Sequence, residues 1–194
     1  KLFWDLDEGT KVIGRGAFGQ VFLGWITMGD EKRERVAVKS IDTGNETSQI
    51  QSPQDAIKLN KEIQTLSRLN HEHIVKYYGS EYNSTTGKLN IICEYMPCGS
   101  LDKLIRTVQK EKNTGLGIKP TREYCFQILS GLVYLHGQNI AHLDLKPANI
   151  LIGKNQCIKL ADFDKCKQFG KDGTTWNCSK FTDSCIGTLL FSAP

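Results

Sequence analysis

The 194-residue chain lacks any apolar run of the roughly 18–20 residues that a membrane-spanning helix needs, so no membrane span is expected. Its opening residues, KLFWDLDEG, do not have the pattern of a secretory leader. Internal repeats and low-complexity tracts are absent. Charge of one sign is scarce as well: Lys+Arg 25 against Asp+Glu 21 leaves +4, spread along the chain. Nucleic-acid surfaces carry a denser basic stripe, so no nucleic-acid partner is expected, while an anionic small ligand stays open. The cysteines Cys93, Cys98, Cys125, Cys157, Cys166, Cys178 and Cys185 are odd in number, form no C-x-x-C pair and have no histidine at zinc-finger spacing. Free thiols in a reducing, cytoplasmic setting are therefore expected, and extracellular disulfides are not. What is present is core material. A composition of 39% hydrophobic and 24% charged residues excludes a wholly disordered chain and suits one domain, in one or two lobes.

The first third reads as strands. Thr10–Ile13 and Gln20–Ile26 are rich in β-branched and aromatic residues and flank the run GRGAFG, and Arg35–Ile41 alternates with period two. A polar loop, Asp42–Gln51, follows. Ser52 and Pro53 then offer an N-cap and a first-turn proline for a helix to about Leu69, with Leu59, Ile63 and Leu66 on its apolar side. Ile74–Glu81 and Leu89–Tyr95 are further predicted strands. After a short linker, MPCGS, Ser100 caps a predicted helix over Leu101–Gln109, and Lys110–Lys119 reads as a loop. Thr121–His136 carries the strongest helical pattern, with Tyr124, Ile128, Leu132 and Leu135 on one side and Gly137 as its stop. Two short strands, Asn149–Ile152 and Cys157–Leu160, flank a turn, and the polar stretch Lys165–Ser184 is expected to be a mobile loop. The predicted class is α+β: a β-rich lobe with one helix over residues 1–95, and a mainly helical lobe over 96–194.

Gly14-Arg-Gly-Ala-Phe-Gly19 is a G-x-G-x-x-G run. In a dinucleotide-binding fold these glycines open a helix. Here the following residues, QVFLGWI, are β-like, which puts the glycines at a hairpin tip, where a missing Cβ lets backbone approach phosphate oxygens. A turn that merely needs positive φ would look the same. Lys39 ends VAVK on the next predicted strand, and Glu62 lies beside the apolar side of the next predicted helix. A carboxylate at that border needs a partner, and Lys39 is the natural cation.

His142-Leu-Asp-Leu-Lys-Pro-Ala-Asn149, followed thirteen residues later by Asp162-Phe-Asp164, completes the pattern. With these motifs in order and at the right spacing, the chain resembles the eukaryotic protein kinases over nearly its whole length. Lys146 and Thr188 point to the serine/threonine type, and LNHEHIVKYYG, LNIICEYMPCGSL and CFQILSGLVYLH look most like the mitogen-activated protein kinase kinase kinase branch. The resemblance implies a two-lobe kinase fold that uses ATP and Mg2+ and phosphorylates a protein substrate, in a signalling cascade where the substrate can be a downstream kinase. Gly14, Gly16 and Gly19 would cover the ATP phosphates, with Ile13, Arg15, Ala17 and Phe18 as further ATP-binding positions, Val21 and Ala37 above the adenine and Leu151 below it. Lys39, held by Glu62, would bind the α- and β-phosphates. Glu94 and Met96 would bond adenine through their backbones, with Cys93 at the gatekeeper position. Asp144 would take or orient the proton of the acceptor hydroxyl, Lys146 would steady the γ-phosphate, and Asn149 and Asp162 would ligate magnesium. His142 would stack with Phe163, Leu66 and Tyr77. Thr174, Thr175, Ser179, Thr182 and Ser184 are candidate activation-loop phosphorylation sites.

Three departures stand out. Leu143 replaces the arginine that often pairs with an activation-loop phosphate, which predicts weaker dependence on loop phosphorylation. Asp164 replaces the glycine after Asp162 and Phe163 and adds a carboxylate beside the metal position. The chain also stops at Ala193 and Pro194, before the glutamate of an APE element and the later C-lobe helices; a fragment with an exposed lower core is the expectation. These departures keep a second reading in view, a pseudokinase that binds nucleotide or acts as a scaffold. A nucleotide-binding oxidoreductase is disfavoured by the strand after the glycines.

Overall fold

The computed structural model describes residues 3–7, 9, 11–16, 19–29, 32–43, 63–163 and 165–168. The chain divides into two compact units, residues 1–69 with 76–95 and residues 70–75 with 96–194.

The first unit is built on one antiparallel sheet of six strands: β1 (Phe3–Leu6), β2 (Val12–Gly16), β3 (Gly19–Met28), β4 (Lys32–Asp42), β5 (Tyr77–Asn83) and β6 (Lys88–Glu94). The order is β1-β3-β4-β6-β5, with β2 also paired to β3. Alternation along β3, β4 and β6 sorts apolar side chains to two faces, as the period-two pattern requires. Ile26, Val36, Val38 and Ile92 form a buried cluster on one face, with Trp4 and Tyr78 packed against it. Ile41 and Ile91 form the other, with Ile63, Tyr77, Leu89 and Cys93. The strands expected at Gln20–Ile26 and Arg35–Ile41 are thus present and longer.

Two expectations change in this unit. Phe3–Leu6 has no alternating apolar pattern and was not anticipated as a strand. It pairs with β3 (Phe3 with Thr27 through Leu6 with Gly24) and is tied by Asp5–Arg33 at 3.1 Å, by Asp7–Arg35, and by Trp4 Nε1 donating to Glu81 Oε2 at 2.7 Å. The stretch Ile74–Glu81 is not one strand. β5 starts at Tyr77, and Ile74 instead makes a parallel bridge to Leu160 in the second unit, to which residues 70–75 belong. Of the helix expected over 52–69, residues 63–66 are helical and the earlier part lies outside the described residues.

In the second unit, α1 (Leu101–Lys112) starts at Ser100, whose Oγ accepts from Lys103 N at 3.3 Å. It runs to Lys112 rather than Gln109, closed by Asn113 in the left-handed region (φ 49°), so the expected loop shrinks. α2 (Ile118–Gly137) buries Tyr124, Gly131 and Leu135. It packs against residues 70–75 and against residues 158–160 so closely that a Cβ on Gly131 would sit 3.0 Å from His73 O and 3.1 Å from Leu160 Cδ1. His71 stacks on Tyr134 of α2 at 4.7 Å between centroids, and His73 Nδ1 lies 2.9 Å from Ile158 O. β7 (Ile140–Ala141), β8 (Ile150–Ile152), β9 (Ile158–Leu160) and β10 (Lys167–Gln168) form two small ladders, β8 with β9 and β7 with β10. The pairing of β10 corrects the expectation of an irregular loop at its first residues; residues 169–184 of that loop lie outside the described residues.

Candidate active site

The second unit gathers the residues of the His142–Asn149 run. β7 delivers the chain to His142, and a single 3-10 turn, Pro147–Asn149, returns it to β8. His142 is 2% exposed and joins two segments. Its Nε2 donates to Ala161 O at 3.0 Å and its Nδ1 accepts from Asp144 N at 3.4 Å, a pattern that the neutral Nε2–H tautomer satisfies. Its ring lies 5.1 Å from that of Phe163, which is 1% exposed.

Asp144 is the centre of the polar cluster, with its side chain 2% exposed. A buried carboxylate needs cations and donors to stay ionised. Lys146 Nζ lies 2.8 Å from Oδ2, and Asn149 Nδ2 donates to the same oxygen at 3.1 Å and to Asp144 O at 2.9 Å. Lys165 Nζ stands 3.4 Å from Oδ1. Lys165 belongs to no motif; its only sequence signal is a cation directly after Asp162, Phe163 and Asp164. Ala161 N donates to Asn149 O at 3.0 Å, which brings Asp162 next to the same turn. Asp162 has φ 65° and Leu143 has φ 58°, both left-handed.

Asn149 and Asp162 fit a hard cation in kind. Asn149 spends its amide nitrogen on Asp144, which leaves its Oδ1 for a ligand, and both are oxygen donors suited to magnesium. Among the described residues no three His, Cys, Asp or Glu side chains gather in a group that could hold a metal.

The first unit holds the other candidates. Val21 and Ile91 flank Lys39 in register, and Leu23 and Cys93 flank Ala37. Paired residues share a face and so do alternate ones, so Val21, Ala37, Lys39 and Cys93 lie on one face of the sheet. Gly14 and Gly16 end β2 and Gly19 begins β3, so the glycines sit at a hairpin and open no helix. Ile13 stands at a bulge and Arg15 pairs with Gln20, both exposed. A Cβ on Gly19 would meet Ser40 O at 2.3 Å, so this position must be glycine for its strand to reach β4. Glu94 N donates to Lys76 O at 2.9 Å. In the second unit, Met96 is 6% exposed and accepts from Gly99 N, and half-buried Leu151 bridges to Ser100. Ala17, Phe18, Glu62, Asp164, Thr174, Thr175, Ser179, Thr182 and Ser184 lie outside the described residues, and with Glu62 goes the expected Lys39–Glu62 pair.

The protein kinase domain family matches residues 8–194. The chain belongs to the protein kinase family. The kinase chain is 42% identical over 159 residues to mitogen-activated protein kinase kinase kinase 3 of Arabidopsis thaliana, covering 81% of this chain and 24% of that protein. It is 40% identical over 157 residues to the kinase kinase kinase YODA of the same plant, covering 81% and 16%. Against mitogen-activated protein kinase kinase kinase 1a of Physcomitrium patens it is 36% identical over 192 residues, 98% of this chain and 22% of that protein. The kinase chain thus spans about a quarter or less of the length of these relatives. The α+β expectation holds: a β-sheet unit precedes a unit led by two helices. No helix among the described residues is long and apolar enough to cross a membrane.

Proposed function

We propose that this kinase chain transfers the γ-phosphate of ATP to a serine or threonine hydroxyl of a protein substrate, in a cytoplasmic signalling cascade whose next member is itself a kinase. The observation that carries the reading is the Lys146–Asp144–Asn149 cluster, in which a buried carboxylate is held by an ammonium at 2.8 Å and an amide at 3.1 Å. The similarity to mitogen-activated protein kinase kinase kinases supports the serine/threonine type and the downstream kinase as acceptor. On this reading residues 1–95 form the N-lobe and 96–194 the C-lobe.

Phosphoryl transfer asks a protein for positioning and charge more than for covalent chemistry. Asp144 orients the acceptor hydroxyl and receives its proton. The hydroxyl oxygen bonds to the γ-phosphorus as the bond to the bridging oxygen of the β-phosphate breaks, and ADP leaves. Lys146, beside Asp144, neutralises the phosphoryl oxygens during the transfer. Asn149 and Asp162 would hold Mg2+, which when bound would supply charge compensation for the phosphates. In the first unit Lys39, supported by Glu62, takes the α- and β-phosphates, and Val21, Ala37 and the hairpin glycines form the nucleotide-facing side of the sheet. Leu143 in place of arginine leaves a loop phosphate without that partner, so activity depends weakly on phosphorylation of Thr174, Thr175, Ser179, Thr182 or Ser184.

The test is transfer of labelled γ-phosphate from Mg-ATP to a generic serine/threonine substrate, comparing the protein with its Asp144→Ala variant. Loss of about 10²–10⁴-fold in the variant is expected for removal of a positioned proton acceptor. A folded protein that binds ATP yet transfers nothing, with or without Asp144, would overturn the reading in favour of a nucleotide-binding scaffold.

A further inference from the structure

Both oxygens of Asp144 are occupied, and not equally. Oδ2 has Lys146 at 2.8 Å and Asn149 at 3.1 Å, both hydrogen-bonded and both from the same tight turn. Oδ1 has Lys165 at 3.4 Å, an ion pair longer than a good charged hydrogen bond. The Lys165 side chain is 43% exposed against 24% for Lys146, while Asp144 itself is 2% exposed. A carboxylate so covered cannot meet a hydroxyl carried on another protein until one occupant moves. The longer, more exposed pair is the cheaper to break, because a half-exposed lysine is competed for by water and pays entropy to stay in place.

We infer that Lys165 is an internal occupant of the acceptor position: its ammonium sits on Asp144 Oδ1, where the substrate hydroxyl must bind, and it competes with that hydroxyl. This rests on the reading of Asp144 as the group that receives the acceptor. Lys165 is here a positioning residue, acting on the acceptor through Asp144. Its effect falls on the protein substrate and leaves ATP binding untouched. An acceptor that brings its own carboxylate near the hydroxyl offers Lys165 a new partner and is therefore favoured over a neutral one.

The test uses the full-length protein and its Lys165→Met and Lys165→Arg variants, with a neutral peptide acceptor. Lys165→Met is expected to lower KM for the peptide about two- to fivefold, the size of an exposed ion pair, with KM for ATP unchanged, and Lys165→Arg to restore the parent value. An unchanged or raised peptide KM in Lys165→Met overturns the inference while leaving Asp144-dependent transfer intact. A second readout needs no transfer. Amine-selective acetylation, followed by peptide mass spectrometry, is expected to label Lys165 several-fold faster in Asp144→Asn than in the parent, while labelling of distant Lys110 stays the same. Equal labelling of Lys165 in both proteins overturns the pairing itself.

Discussion

His142 works at the scale of one residue to hold two strained neighbours. Leu143 and Asp162 lie in the left-handed region, where an L-residue costs about 1–2 kcal/mol. Each is one position from a group that His142 binds, Asp144 N on one side and Ala161 O on the other. The imidazole thus bonds to the backbone beside both departures at once. His71 is a second residue whose setting has a measurable consequence. Burial lowers its pKa from 6.5, the charge of His73 and of Lys159 lowers it further, and Glu72 opposes them. The unfolded chain therefore takes up this proton at higher pH than the folded one, so stability from His71 is fully present above about pH 6.5 and is lost as pH falls below it. Urea midpoints of the parent are expected to fall between pH 7 and pH 5.5 more steeply than those of His71→Phe, which keeps a ring against Tyr134. Parallel curves would show that His71 carries no such linkage.

Among the elements, the contact of α2 with residues 70–75 and β9 is set by one missing side chain. An exposed glycine inside a helix would gain about 1 kcal/mol on replacement by alanine. At Gly131 the sign reverses, because the added Cβ would meet His73 O at 3.0 Å, and that oxygen is already fixed by Leu160 N at 2.9 Å. Gly131→Ala is expected to destabilise by about 1–3 kcal/mol, read as a lower denaturation midpoint with unchanged helix content by circular dichroism. A gain would show that the helix can slide. The same element explains what the sequence disclosed and what it withheld. β3, β4, β6, α1 and α2 could be read from apolar period and from caps such as Ser100, because their patterns are local. β1, β7 and β10 have two to four residues and no period, and they exist only through partners far along the chain. The break at Ile74 is of the same kind, since the β-branched run Ile74-Val75 is claimed by Leu160 rather than by β6. The cluster on Asp144 was legible through its motif, whereas Lys165 was not, because an ion pair between residues 144 and 165 leaves no spacing rule behind.

For the whole molecule, composition forecast free thiols, and among the described residues Cys98 and Cys125 carry free thiols. Cys98 and Cys125 are exposed, while Cys93, Cys157 and Cys166 are half-buried. Thiol labelling of the native protein with peptide mapping is expected to modify Cys98 and Cys125 before Cys93, Cys157 and Cys166. The thermal midpoint should be the same with and without reductant. A drop in reductant would reveal a disulfide and move the protein to an oxidising setting.

Residues 70–75 have one more consequence. They belong to the second unit, although chain on both sides of them, 1–69 and 76–95, belongs to the first. The polypeptide therefore passes between the units three times, and no single cut can part them. A break between residues 95 and 96 would strand Ile74 and Val75 with the wrong half and cost Leu160 its bonds to His73 O and Val75 N. Synthesis from the N-terminus meets the same constraint in time. Val75 emerges 85 residues before Leu160, the residue it must bond, so the second unit begins as a six-residue stub whose partners in α2 and β9 are made only later.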